Sequence, residues 1–140
     1  MHIALIIVVF PVPGPPVNTK KLLDNAYAPY SNFKVACIIK TKDNQEFIGV
    51  NVENASYGAT ICAERSAILS AISHGYKKGD FQEIHIMNSS SKIATPCFIC
   101  RQALIEFCSP DMPVYLYTKD KEEKHLLEEF TPLVFNEDNL

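Results

Sequence analysis

Beyond residue 18, apolar and polar positions follow two periods along the chain, and the switches between those periods mark its elements. A short helix is predicted from an Asn18 or Thr19 cap through Ala26, with Leu22 and Leu23 apolar and Pro29 enforcing the stop. Residues 33–40 are β-rich (Val35, Ile38, Ile39), Asp43-Asn44 is a turn, and residues 46–52 form a second strand, which predicts an antiparallel hairpin. Across residues 62–74, Ala63, Ala67, Ile68, Ala71 and Ile72 recur at helical spacing, and Gly75 stands where a C′ glycine belongs. Residues 82–87 read as a strand with Ile84 and Ile86 on one face and His85 on a polar face. Residues 97–108 read as a helix opened by Pro96 and closed before Pro110. Residues 114–117 form a further strand. Residues 121–130 are predicted as a last amphipathic helix, with Glu122, Glu123, Glu128 and Glu129 as its solvated face, before an irregular tail to Leu140. This order, β-β-α-β-α-β-α after a short first helix, predicts one mixed sheet between helix layers. Strands joined through a helix should run parallel, and the opening hairpin antiparallel.

Residues 1–18 break the pattern. An apolar run, residues 3–10, leads into Pro11-Val12-Pro13-Gly14-Pro15-Pro16, which favours an extended segment and forbids a helix. This segment is read as an extension, in preference to an edge strand plus linker, and residues 19–140 as a single domain. A chain of 140 residues suits one domain able to bury a core without staples. The apolar run is far shorter than the roughly 20 residues that cross a bilayer, and it lacks the basic flank and small-residue cleavage site of a leader. No membrane partner is expected. A net charge of −3 and the absence of any Lys/Arg run remove the electrostatic footprint of a nucleic-acid partner. The five cysteines, Cys37, Cys62, Cys97, Cys100 and Cys108, are odd in number, which argues against a closed disulfide framework and for a reducing, cytoplasmic setting. Cys37 and Cys108 are expected as small buried apolar residues.

Two segments carry chemistry: Cys62-Ala63-Glu64-Arg65 and Pro96-Cys97-Phe98-Ile99-Cys100-Arg101-Gln102. A C-x-x-C alone serves zinc, redox and Fe–S sites alike. A third cysteine at the start of another helix, two residues before a glutamate, points to a tetrahedral zinc ion with three thiolate ligands and one open position, as in catalytic sites. Glu64 can face that position without binding the metal. Cys62 and Cys97 stand at predicted helix N-termini, where the dipole and free N–H groups stabilise thiolates. Arg65 and Arg101 each follow a motif residue, and either could hydrogen-bond a ligand sulfur and withdraw charge.

These two segments resemble the signature of the zinc nucleoside deaminases, specifically the small homotetrameric cytidine deaminases of the cytidine/deoxycytidylate deaminase superfamily. The resemblance extends to Ala26-Tyr27-Ala28-Pro29-Tyr30-Ser31-Asn32-Phe33-Lys34-Val35, similar to the family's AYAPYSxFxV, and to Asn51-Val52-Glu53-Asn54-Ala55-Ser56-Tyr57, similar to its NxENAxY. The tail, Leu133-Val134-Phe135-Asn136-Glu137-Asp138-Asn139-Leu140, also resembles the family's. The resemblance covers residues 22–140. It implies a three-layer α/β/α sandwich around a mixed five-stranded sheet. It also implies a hydrolase of pyrimidine salvage that deaminates cytidine and 2′-deoxycytidine, with one zinc ion (Zn²⁺) per chain on Cys62, Cys97 and Cys100. Glu64 would shuttle protons, and Arg65 would hydrogen-bond a ligand sulfur. Phe33 would pack on the pyrimidine, Asn51 and Glu53 would hold the ribose, and the Ala63 backbone would bond the base. Ala55, Tyr57 and Phe135 would reach the site of a neighbouring subunit, so that the chain is its own partner in a homotetramer.

Three departures are present. Phe98 and Ala36 stand where the family usually has glycine, positions that bear on pocket-wall shape and local backbone geometry, and the proline segment replaces a longer first helix. Other readings are a deaminase of a different cytosine-bearing small molecule, such as a nucleoside antibiotic, and a polynucleotide deaminase, which the acidic balance disfavours. A further one is a non-catalytic zinc module, against which Glu64 and the lack of a well-placed fourth ligand count.

Overall fold

The structure, a computed structural model, describes residues 18–140, so the expected extension over residues 1–18 lies outside it but for Asn18. Helix α1 (Thr19–Leu23) ends before the expected Ala26, because the chain must extend for Tyr27 to bridge Val52. Strand β1 (Val35–Thr41) has no apolar–polar alternation and is buried on both faces, as a central strand covered on both sides requires. It pairs antiparallel with β2 (Glu46–Val50) on one side and with β3 (Phe81–Asn88) on the other. β3 runs parallel to β4 (Pro113–Tyr117), which pairs antiparallel with β5 (Glu122–Leu126). The five-stranded order is β2-β1-β3-β4-β5. The parallel rule holds for β3 and β4, joined through α3 (Phe98–Phe107), and for β2 and β3, joined through α2 (Ala63–Ser73) with β1 between them.

Helices α2 and α3 cover one face. There Ala63, Ala67, Ile68, Ala71 and Leu104 pack on Cys37, Ile39, Ile84, Ile86, Val114 and Leu116, and Cys108 is buried beside them as expected. On the other face α1 covers Ala36 and Ile38 through Leu22, and Leu23 packs on Met87, Tyr115 and Tyr117. Helix α2 ends as its glycine predicted. Gly75, at φ 95°, donates to Ile72 O (3.0 Å) and Tyr76 N–H reaches Ala71 O (3.2 Å), a Schellman closure.

Two expectations are corrected. Residues 121–130 are not a helix: Glu122–Leu126 is edge strand β5, and Leu127–Phe130 is a 3-10 turn that buries Leu127 and Phe130. The helix-forming Glu and Lys side chains are overridden because β4 would otherwise be an unpaired edge; charged side chains suit the edge they form. The hairpin closes through Thr118, whose N–H donates to Lys121 O and whose hydroxyl accepts from Asp120 and Lys121 N–H. His85, expected on a polar strand face, is buried. It stacks on Tyr115 and Tyr117 at 4.7 and 5.8 Å between ring centroids, with Nδ1 2.9 Å from Tyr117 Oη and Nε2 3.2 Å from Glu83 Oε1.

Candidate functional site

The site is assembled around Val52. After β2 the chain continues extended, and Val52 exchanges two backbone hydrogen bonds with Ile61 (2.9 and 3.0 Å) on one side. On the other side Tyr27 N–H donates to Asn51 O (3.0 Å) and Glu53 N–H to Tyr27 O (2.8 Å). Three separate sequence blocks thereby meet, and Asn51 and Glu53, flanking Val52, turn into one cavity of about 550 Å³. Phe33, Asn51, Glu53, Cys62, Ala63, Glu64 and Cys97 all line it.

Cys62 and Cys97 are the N-caps of α2 and α3, both in extended conformation, with their side chains free of capping duty. Their sulfurs lie 3.8 Å apart, and the Sγ atoms of Cys62, Cys97 and Cys100 all lie within 4.8 Å of one another. Three thiolates on a tetrahedral zinc at about 2.3 Å would sit about 3.8 Å apart, so the donor set fits zinc in number, softness and spacing. Among the described residues no other His/Cys/Asp/Glu group of this kind is found. The Cys62 thiol is pulled down to about 5, chiefly by a hydrogen bond from Cys100, with Arg65 and Cys97 acting the same way against burial. The Cys100 thiol is pushed upward because it is the donor to Cys62 and is desolvated.

Glu64 is buried in the first turn of α2. Burial pushes its carboxyl up to about 7, and the Cys62 charge adds to this, while hydrogen bonds from its own backbone N–H and from Cys100 act against it. The two arginines differ. Arg65 Nη2 lies 3.7 Å from Cys62 Sγ and 3.4 Å from Thr60 O. Arg101 instead bonds loop oxygens: its Nε donates to Pro96 O (2.7 Å), Nη1 to Phe130 O (3.2 Å) and Nη2 to Thr95 Oγ1 (3.0 Å).

The placement of α2 depends on Gly49. A Cβ there would lie 2.4 Å from Ala63 O and 2.6 Å from Ala67 N, so glycine alone lets β2 meet the helix backbone beside Cys62 and Glu64. Two further devices are not apparent in the sequence. Asn51 Oδ1 accepts from Val35 N–H (2.9 Å) and its Nδ2 donates to Phe33 O (2.7 Å), which fixes the strand entry carrying Phe33. One N–H and one lone pair of this amide stay available to a ligand. Ser31 donates its N–H (3.2 Å to each oxygen) and its hydroxyl to the Glu53 carboxylate, and so aims it. The serine is in the first motif block, but its partner could be found only by folding.

The expected neighbour-reaching residues divide. Ala55 and Phe135 do not line their own chain's cavity; Phe135 is 57% exposed, its backbone O held by Gln102 Nε2 (2.9 Å). Tyr57 lines the cavity of its own chain as well, in a T-shaped contact with Tyr30 (5.9 Å), because its 3-10 turn follows the tethered Asn51–Glu53 segment directly. Neither position that departs from the glycine pattern lines the cavity. Ala36 packs on Leu22 across the sheet, and Phe98 is 78% exposed. Among the described residues no helix is long and apolar enough to cross a membrane.

The profile of the cytidine and deoxycytidylate deaminase zinc-binding region matches residues 18–116. A cytidine deaminase of Mycoplasma genitalium is 43% identical over 103 residues, covering 74% of this chain and 78% of that one. One from Sporosarcina psychrophila is 35% identical over 124 residues, covering 88% and 90%. The crystal structure of cytidine deaminase from Burkholderia pseudomallei superposes with a TM-score of 0.80 at 38% identity, covering 96% of this chain and 99% of that chain. Three thiols at zinc spacing, a buried glutamate beside them and these matches lead to one conclusion: the chain belongs to the cytidine and deoxycytidylate deaminase family.

Proposed function

We propose that the chain catalyses hydrolytic deamination of cytidine and 2′-deoxycytidine to uridine and 2′-deoxyuridine with release of ammonia, as a cytoplasmic step of pyrimidine salvage. The observation that carries this reading is Glu64, a buried carboxyl in a cavity whose wall also presents the Cys62 and Cys97 thiols. One zinc ion per chain would be held by Cys62, Cys97 and Cys100, and when bound it would supply Lewis-acid activation of a water molecule. Glu64 would take a proton from a water in the cavity and deliver it to ring nitrogen 3, which makes carbon 4 electrophilic. The water oxygen adds to carbon 4, and Glu64 then carries the remaining hydroxyl proton to the exocyclic amine, so that the carbon–nitrogen bond breaks, the carbon 4 carbonyl forms and ammonia leaves. Arg65 draws charge from the Cys62 sulfur, which offsets the excess negative charge of three thiolates. Phe33 walls the pyrimidine, the Ala63 backbone bonds it, and Asn51 and Glu53 take the ribose hydroxyls.

Residues 19–140 form the catalytic domain in this reading, and residues 1–18 are an extension of it. The site is shared in a homotetramer: Ala55, Tyr57 and Phe135 complete a neighbour's pocket. The exposure of the Phe135 ring while its backbone is anchored supports this, and so does the 75% exposure of Tyr57, which leaves a face for a neighbour beyond its contact with Tyr30. The test is loss of the cytidine absorbance band on adding the protein to cytidine, with zinc measured on the same sample. Turnover with one zinc per chain is expected. Zinc without turnover on any cytosine nucleoside would replace this reading with a non-catalytic zinc module.

A further inference from the structure

Cys97 is the exposed member of the thiol set, at the end of a loop between β3 and α3 that is packed through buried Pro96 and half-buried Ile93 but exposed at Thr95, Cys97, Phe98 and Ile99. Arg101 grips the exposed part of this loop. Its Nε holds the Pro96 carbonyl, the far half of the peptide plane that ends at Cys97 N, and its Nη2 holds Thr95 Oγ1 on the cavity wall. Nη1 ties both to Phe130 O, at the end of the turn that follows β5. The guanidinium faces are also engaged: Cζ lies 4.3 Å from the Phe98 ring centroid and 5.4 Å from that of Phe130. A planar fork with three oriented donors and a ring near its cation on two sides of the loop has little freedom left to move.

We propose that Phe98, Arg101 and Phe130 form a clamp that positions Cys97 for zinc, with Arg101 as a positioning residue that touches neither metal nor substrate. Phe98, at a position where the family usually carries glycine, adds a ring to this clamp, so the departure strengthens metal retention and leaves the pocket wall alone. The inference rests on the zinc-dependent reading of the site.

The test is competition for zinc between a chelating dye and the zinc-loaded full chain, with the absorption bands of the cobalt-substituted protein as a second readout. Arg101→Ala should weaken zinc binding by about 10- to 100-fold, the usual effect of losing a group that orients a ligand. It should also shift the cobalt–thiolate bands. Arg101→Lys should rescue little of this, since it keeps the charge and loses the fork. Phe98→Leu should weaken zinc binding about two- to fivefold, and Phe98→Tyr should restore it. Because the Phe98 ring is exposed, these two variants decide the matter even if Arg101→Ala does not fold. Wild-type zinc affinity and cobalt bands in Arg101→Ala, or full rescue by Arg101→Lys, would overturn the clamp. Equal zinc affinity in Phe98→Leu and wild type would also overturn the clamp as proposed, since Phe98 is one of its three members. A wild-type chain that bound no zinc would instead overturn the zinc-dependent reading itself.

Discussion

Helices α2 and α3 both begin with an extended cysteine whose carbonyl accepts the first helical hydrogen bond, from Ser66 N–H at 3.0 Å and from Arg101 N–H at 2.9 Å. Their anchorage differs. Helix α2 buries Ala63, Glu64, Ala67, Ile68 and Ala71, sits on the Gly49 backbone and is led in by the Val52–Ile61 bridge. The start of α3 is exposed at Cys97, Phe98 and Ile99, between buried Pro96 and Cys100, and Arg101 ties it to the loop before it. The arginine after each motif follows this division: Arg65, on the buried helix, is free to turn to the sulfur, whereas Arg101 is occupied with the loop. In the proposed mechanism the group that moves protons is thus on the well-buried helix, and the loop that would carry a zinc ligand is the part secured from outside.

If α2 carries the chemistry, Glu64→Gln should retain zinc and lose about 10²- to 10⁴-fold in kcat, since an amide cannot shuttle a proton. Steady-state kinetics beside metal analysis checks this, and near-normal turnover would break the division of labour. If α2 is held by close packing, Gly49→Ala should force the Cβ against Ala63 O and Ala67 N and cost about 1–3 kcal/mol, read as a lower urea midpoint. An unchanged midpoint would mean that the contact relaxes freely. Phe135, tied to α3 through Gln102, belongs to the other region. Using nucleic-acid base stacking of about 1–3 kcal/mol as an analogue, Phe135→Ala should lower kcat/KM about 5- to 150-fold with zinc content intact. Mixing Phe135→Ala and Glu64→Gln chains under subunit exchange should then return activity above either parent. Demonstrated exchange without recovery would assign Phe135 to its own chain.

The smallest effect is expected far from both helices. Burial lowers the pKa of His85, and the facing groups are Glu83, Lys40, Glu46, Tyr115 and Tyr117; Glu83 and Glu46 act against the shift, and Lys40 adds to it. With the folded value below the unfolded one of about 6.5, the unfolded chain binds the proton first. This contribution is therefore full above about pH 6.5 and is lost as pH falls through the folded value. Denaturant midpoints across pH 5–7 should show this slope, and His85→Phe should flatten it.

Much of this was legible in the residues. The period of Ala63, Ala67, Ile68 and Ala71 located α2, Gly75 its end, and Pro96 the start of α3, because caps and helical spacing are local rules. The cysteines and Glu64 were legible as a zinc chemistry because residue type and spacing suffice for a donor set. Residues 121–130 were misread because helix propensity is a weak prior, and an unpaired β4 edge outweighs it. The burial of His85 was hidden because the tyrosines that stack on it come from another strand.

The sequence by itself determined the donor atoms, the carboxylate and the order of the elements as far as β4, since each depends on side-chain chemistry or on neighbours a few residues away. Only the tertiary structure decided which arginine serves the sulfur, that Asn51 and Ser31 orient Phe33 and Glu53, and that Tyr57 faces its own cavity. Those outcomes depend on groups brought together from distant segments by backbone pairing around Val52 and by the packing of helices on the sheet, geometry that no local pattern of residues encodes.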